Sequence, residues 1–333
     1  MITGLIIYLL AMFGATLSTG LGMLLVLRIL QGMSAGAATI VSRVVIRDLF
    51  AGPEAQRLMA RVMMIFALAP VVAPMLGGWL LLGDWRWVFA GVGLYGVLVL
   101  VLTALMPESL PRQARLPLRL GSVLGALWKV GRSPVLLRIA GANAFGFAAH
   151  FVFVAAAPII VVRLLGLGEQ DFWVLFAPLI LGMIAGSFVV GRAADLMARS
   201  RLITVGYIGT IATTALNLVL VLAAPERTGA LDPALLPVLI GPMLMSFTVS
   251  LFFAPMQLEI LDLFPHGRGA AASMGTLFTL VMNALLAGVV PPLITAGLPT
   301  VALTAAVFAL IGSTLWAWHL AATRRPESLP REA

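Results

Sequence analysis

The sequence predicts an all-α membrane protein, a bundle of about ten transmembrane helices. Three observations carry that prediction. Of 333 residues, 61% are hydrophobic and only 10% charged, with a mean hydropathy of +1.09; a soluble domain uses roughly 25% charged residues to cover its surface. The apolar residues form continuous runs of spanning length, unlike the short alternating segments of a barrel. The cationic residues fall almost wholly on one side of those runs.

Taken in order, the runs cover about 2–19, 21–47, 58–82, 86–106, 135–163, 172–195, 201–224, 235–262, 270–296 and 299–322. Turn and charge signals punctuate them: Ser18-Thr19-Gly20, Ala51-Gly52-Pro53-Glu54, Gly83-Asp84, Pro107-Glu108, Glu169-Gln170-Asp171, Pro225-Glu226-Arg227 and Pro265-His266-Gly267. With Met1 on the cytoplasmic side and a crossing at every run, only Arg86, Arg163 and Arg227 of the 21 Lys and Arg residues fall outside, and Arg28 lies within a helix. A wrong helix count would scramble that asymmetry, so it supports ten crossings with both termini in the cytoplasm. It also accounts for the net charge of +8 without a nucleic-acid partner.

Composition excludes several chemistries. No cysteine is present, so disulfides and thiolate ligands or nucleophiles are excluded. The three histidines, His150, His266 and His319, form no helical ligand pair, and Lys129, the sole lysine, follows Trp128 rather than the glycine of a phosphate loop. No enzyme activity, metal or cofactor is expected.

The halves divide at a basic linker, about 107–134, whose Arg112, Arg115, Arg119, Lys129 and Arg132 interleave with leucines and Trp128. Such an amphipathic stretch suits the inner leaflet. Residues 1–106 then supply four helices and 135–333 six with a short cytoplasmic tail. Asp48-Leu49-Phe50 and Asp262-Leu263-Phe264 echo one another at corresponding helix ends, the mark of the repeated halves common in secondary transporters.

Arg28 stands inside the second run, where an arginine at helix centre costs about 2.5–3.5 kcal/mol on insertion scales; Gln31 and Gly32 share its face. The segment Arg28-Ile-Leu-Gln31-Gly32 resembles the R-x-x-Q-G motif in the fourth helix of the drug:proton antiporters of the major facilitator superfamily. Ala69-Pro70-Val-Val-Ala73-Pro74-Met-Leu-Gly77-Gly78 is similar to the antiporter motif of their fifth helix. Trp85-Arg86 with Phe89, Pro107-Glu108-Ser109-Leu110 and Arg43-Val-Val-Ile-Arg47-Asp48-Leu49 resemble segments of the Bcr/CflA subfamily. So do Phe151-Val-Phe153 with Ala157-Pro158, Gly182 through Asp195, and Phe264 through Ser273.

The resemblance covers nearly the whole chain and implies a major facilitator type helical bundle, about ten transmembrane helices of an expected twelve, aligned from the family's third helix onward. The acidic residue of the family's first helix and the G-x-x-x-D-R-x-G-R-R loop after its second have no counterpart here. The implied activity is export of small amphipathic compounds, drugs included, in exchange for protons, by a monomer in the bacterial inner membrane. A non-transporting remnant of such an exporter, or a non-transport membrane module, stays open as an alternative.

The candidate residues follow. Arg28, Gln31, Gly32 and Glu259 are assigned to transport and proton coupling, Glu259 because its neighbours in sequence are apolar and should desolvate it. Pro70, Pro74, Gly77 and Gly78 would give a bendable helix. Arg43, Arg47, Asp48, Arg192 and Asp195 would form a cytoplasmic ion-pair gate. Asn143, His150, Phe153, Asn217 and Asn283 are the candidates for a cavity lining.

Overall fold

A computed structural model describes residues 1–80, 84–106, 108, 120–223, 236–265, 267–293 and 297–324. The basic segment Arg112 to Arg119, the Pro225 to Arg227 turn, His266 and the tail after Arg324 lie outside the described residues, as do the side chains of residues 70–80. Every regular element among the described residues is helical. The long helices are α1 (Ile2–Thr16), α2 (Leu21–Leu49), α3 (Gly52–Leu80), α4 (Arg86–Leu105), α6 (Pro134–Ala155), α7 (Trp173–Ala193), α8 (Arg199–Ala223), α9 (Leu236–Leu263), α10 (Arg268–Leu293) and α11 (Leu298–Arg324), with the shorter α5 (Leu120–Gly131) before α6. Eight described helices are long and apolar enough to cross a membrane by length and composition. The echoed Asp-Leu-Phe triplets end alike: α2 stops at Leu49 and α9 at Leu263, leaving each phenylalanine outside the helix.

Three expectations from hydropathy shift at their edges. The helix expected to begin near 58 starts at Gly52, whose φ of +55° makes the turn; its first turns carry Glu54, Arg57 and Arg61, so the helix runs beyond its apolar part. The first run stops at Thr16, where the Thr16 hydroxyl donates to the Phe13 carbonyl at 2.6 Å and that of Ser18 to Ala15 at 2.9 Å. The single run 135–163 is broken after Ala155: Pro158 has no N–H to donate, and the chain resumes as a π-helical turn, Ile159–Leu164.

The chain divides into two compact units. Unit 1 comprises Met1–Ala51 and Leu68–Arg119; unit 2 comprises Gly52–Ala67 and Leu120–Ala333. In unit 1, α1 packs on α2 and α4. Small residues on α4 allow the approach, since a Cβ at Gly93 would lie 3.2 Å from the Phe13 ring. Met12, Ala15 and Phe89 form its buried centre.

Unit 2 is organised around α9, which packs against α6, α7, α8 and α10, while α11 packs on α6 and α8. The seam between α7 and α9 is nearly backbone on backbone. A Cβ at Gly182 would overlap the Met243 carbonyl, and one at Gly186 the Phe247 carbonyl. Gly182-x-x-x-Gly186 is the small-residue spacing that brings membrane helices together where no hydrophobic effect between helices assists. Across the α8 seam, Tyr207 stacks on Phe252 with centroids 4.2 Å apart, and Phe252 fills the space left by Gly146. Leu136, Ile139, Leu175, Ile203 and Met256 are fully buried around it. Outward faces carry leucines such as Leu181, Leu277 and Leu310, an arrangement that lipid rather than water accommodates.

Candidate functional site

In unit 1, Arg28 extends along α2 with no carboxylate partner among the described residues. Its Nη1 donates to Gln31 Oε1 at 3.1 Å and its guanidinium lies 4.7 Å from the Phe89 ring centroid on α4. The helical spacing of three brings Arg28 and Gln31 together, as the sequence predicts. Nothing would obstruct a Cβ at Gly32, so that glycine is not required by packing within the unit. Arg86 ties the start of α4 to the end of α1: its Nη2 donates to the Ser18 carbonyl at 3.2 Å and its Nη1 to Asp84 Oδ2 at 3.1 Å. The Arg86 backbone N–H, followed by its guanidinium, holds the Asp84 carboxyl below the usual carboxylate range. Arg43, Arg47 and Asp48 occupy the last turns of α2, and none is free; Arg47 closes the helix by donating to the Phe50 carbonyl at 3.3 Å. The backbone of α3 is helical through Pro70, Pro74, Gly77 and Gly78.

In unit 2 two ion contacts gather where α7 meets α8 and α9 ends. The partner of Asp195 is Arg57, at 3.3 Å, on the first turns of α3; the sequence assigned this role to the α2 arginines. Both side chains are about half exposed, and an exposed pair contributes about 0–1 kcal/mol. Such a contact opens at little cost. Around it the start of α3 is seated on unit 2 by Gln56, whose Nε2 donates to the Val190 carbonyl at 3.4 Å, and by Ala60 against Val190, Ala193, Leu202 and Leu251. Arg192 does not join the pair; its guanidinium lies 4.0 Å from the Phe188 ring centroid.

Glu259 differs most from its expected setting. It is not an isolated carboxyl among apolar side chains. Arg199 Nη1 donates to Glu259 Oε2 at 3.3 Å and to Asp262 Oδ2 at 2.7 Å. The phenylalanines and leucines near it in sequence lie around the other faces of α9, while Glu259 and Asp262, three apart, share the face that meets the start of α8. Arg199 and Asp262 were missed because their partner is far along the chain.

Buried polar groups of unit 2 lie along its helix seams. His150 on α6 lies 2.9 Å from Ser246 Oγ on α9. Ser246 Oγ lies 2.8 Å from the Pro242 carbonyl as well, so one hydroxyl joins the imidazole to the α9 backbone. Ser250 Oγ lies 2.9 Å from the Ser246 carbonyl and 3.2 Å from the Met183 carbonyl on α7. Thr210 bonds Thr248 across the α8–α9 seam at 3.1 Å. Asn143 is fully buried with neither amide atom paired among the described residues. Asn217 packs its side chain over Gly241, closing the seam of α8 and α9, and its Oδ1 and that of Asn283 are likewise buried without a partner. Phe153 is part of the apolar core of unit 2. Ser246, Pro242 and Pro255 were not singled out in the sequence, although two prolines and a serine in one apolar run mark a helix with interrupted bonding.

Helices of spanning length with ion contacts at one end and polar groups buried between them define the class of multi-pass membrane proteins. A family model described as Major Facilitator Superfamily matches residues 1–241, and the chain belongs to that superfamily. It is 29% identical over 283 residues to an uncharacterized MFS-type transporter, YdgK, of Bacillus subtilis, a match covering 84% of this chain and 67% of that protein. It is 30% identical to a bicyclomycin resistance protein homolog of Haemophilus influenzae over 50% of this chain and 42% of the relative. The multidrug resistance protein MdtM of Salmonella typhimurium is 29% identical over 61% of this chain and 49% of its own length. The chain thus spans about half or less of the last two relatives. In fold it is similar to the proton:xylose symporter XylE, with a TM-score of 0.74 at 14% identity, covering 96% of this chain and 78% of that one.

Proposed function

We propose that the chain is a secondary transporter of the Bcr/CflA type, exporting small amphipathic compounds, drugs included, in exchange for protons across the bacterial inner membrane with both termini in the cytoplasm. The observation that carries this reading is Arg28 held along an apolar helix by Gln31 and Phe89 with no carboxylate among the described residues to neutralise it. A cation so placed marks a pathway or a proton site by default. The relatives named for bicyclomycin and multidrug resistance supply the substrate class. A proton moving down the membrane potential delivers about 2.3 kcal/mol per 100 mV, and the weak Arg57–Asp195 contact is of a size that such a cycle can break and remake. The four-helix and six-helix halves on either side of the basic linker are the bodies that would rock.

The test is transport by the chain reconstituted in proteoliposomes with an imposed proton gradient. Uptake of a lipophilic cation or of chloramphenicol that collapses with an uncoupler supports proton exchange. Gradient-independent equilibration overturns the coupling, and no flux of any tested compound supports the non-transporting alternative.

A further inference from the structure

The helices α6, α10 and α11 leave a crevice of about 460 Å³ between them, walled by Leu137, Gly141, Phe145, Met274, Phe278 and Leu315. Its wall is apolar throughout, and it runs along α6 for about 12 Å at 1.5 Å per residue. Its upper wall is continuous with the outward face of α10, where Leu277 and Val281 are about half exposed. The other end lies at the start of α6, beside basic residues that are not part of its wall. Arg138, one residue from Leu137, places its guanidinium 5.4 Å from the Trp318 ring centroid on α11, and its Nε is buried without a partner. The adjoining α5 packs on α10, a Cβ at Gly131 would touch Met274, and α5 brings exposed Lys129 and, just beyond it, Arg132 to the same end. Among the described residues no carboxylate pairs with Lys129, Arg132 or Arg138.

From this juxtaposition we infer that the crevice is a binding site for one anionic phospholipid, its phosphate held by Arg138 beneath Trp318 and rimmed by Lys129 and Arg132, and one acyl chain lying between α6 and α10. A guanidinium matches a phosphate with two parallel hydrogen bonds. Free inorganic phosphate would satisfy the cation and leave the apolar wall unfilled. A zwitterionic lipid would bring its own cation against three others. An anionic lipid satisfies both ends.

The experiment is native mass spectrometry of the purified full chain in detergent, titrated separately with phosphatidylglycerol and phosphatidylcholine of identical acyl chains and with inorganic phosphate. At about 1 kcal/mol per basic residue near the surface and with three such residues, phosphatidylglycerol should be retained roughly a hundredfold more than phosphatidylcholine. Arg138→Gln should lower that preference about fivefold or more and Arg138→Lys keep most of it. Val281→Trp, which fills the groove from its exposed side, should lower retention of both lipids. Because Lys129 and Arg132 are exposed, a graded loss in K129Q and R132Q supports the site independently of any folding defect at Arg138. Equal retention of the two lipids, a preference left undiminished by Arg138→Gln, or full displacement of phosphatidylglycerol by millimolar inorganic phosphate would each overturn the assignment.

Discussion

Replacing Arg199 by methionine removes a charge while keeping most of the apolar stem, and the consequence follows from the geometry it leaves. Arg199 is 19% exposed and each of its carboxylate partners, Glu259 and Asp262, 27% exposed. Side chains three apart on a helix have Cβ atoms about 5–6 Å apart, and two unit charges at about 6 Å repel by about 3 kcal/mol at an effective dielectric near 20. The guanidinium cancels that repulsion in the wild-type chain. Water reaching the partly open site restores some screening, so the loss falls between the ~0–1 kcal/mol of exposed pairs and the ~3–5 kcal/mol of buried ones, about 2 kcal/mol. For a unit of this size that corresponds to a melting temperature lower by about 4–8 °C, read from tryptophan fluorescence of the purified protein in detergent. Adding Glu259→Gln removes one of the two repelling charges, and the double variant should be more stable than Arg199→Met alone. An unchanged melting temperature for Arg199→Met, or a double variant that loses the sum of the single effects, refutes the reasoning.

Three further outcomes are expected. Gly186→Ala drives its Cβ into the Phe247 carbonyl and within 2.8 Å of Ser250 Cβ, so it should cost about 1–3 kcal/mol or more in thermal stability, whereas Gly32→Ala, whose added Cβ meets nothing within 4 Å, should be close to neutral. Ser246→Ala leaves the buried His150 Nδ1 without its hydrogen-bond partner and should lower stability by about 1–3 kcal/mol; Ser246→Thr, which keeps the hydroxyl, should retain most of it. Arg28→Ala should abolish proton-coupled flux in proteoliposomes while membrane insertion and expression, followed by fluorescence size exclusion, stay intact; surviving flux would remove Arg28 from the pathway.

Helix positions were legible because a chain in lipid must satisfy its backbone locally. Each apolar run therefore marks its helix to within a few residues, and Gly52 and Pro158 account for the edges that moved. The Arg28–Gln31 contact was legible for the same reason, being local to one helix. The ion contacts were not. Arg57 and Asp195 are separated by 138 positions and Arg199 and Glu259 by 60, and hydropathy says which residues are charged without saying which will meet. Glu259 is the clearest case: its neighbours in sequence lie around the helix, whereas its surroundings are set by the one face that meets α8.

The interlock of Gly182 and Gly186 with the α9 backbone has a mechanical consequence. With carbonyls seated against bare Cα atoms, α7 and α9 cannot slide past one another without collision, and they behave as one plate. Asp195 follows the end of α7, and Glu259 and Asp262 stand at the end of α9, so their bonds to Arg57 and Arg199 ride on the same rigid piece. Both clasps therefore bear on the same pair of interlocked helices.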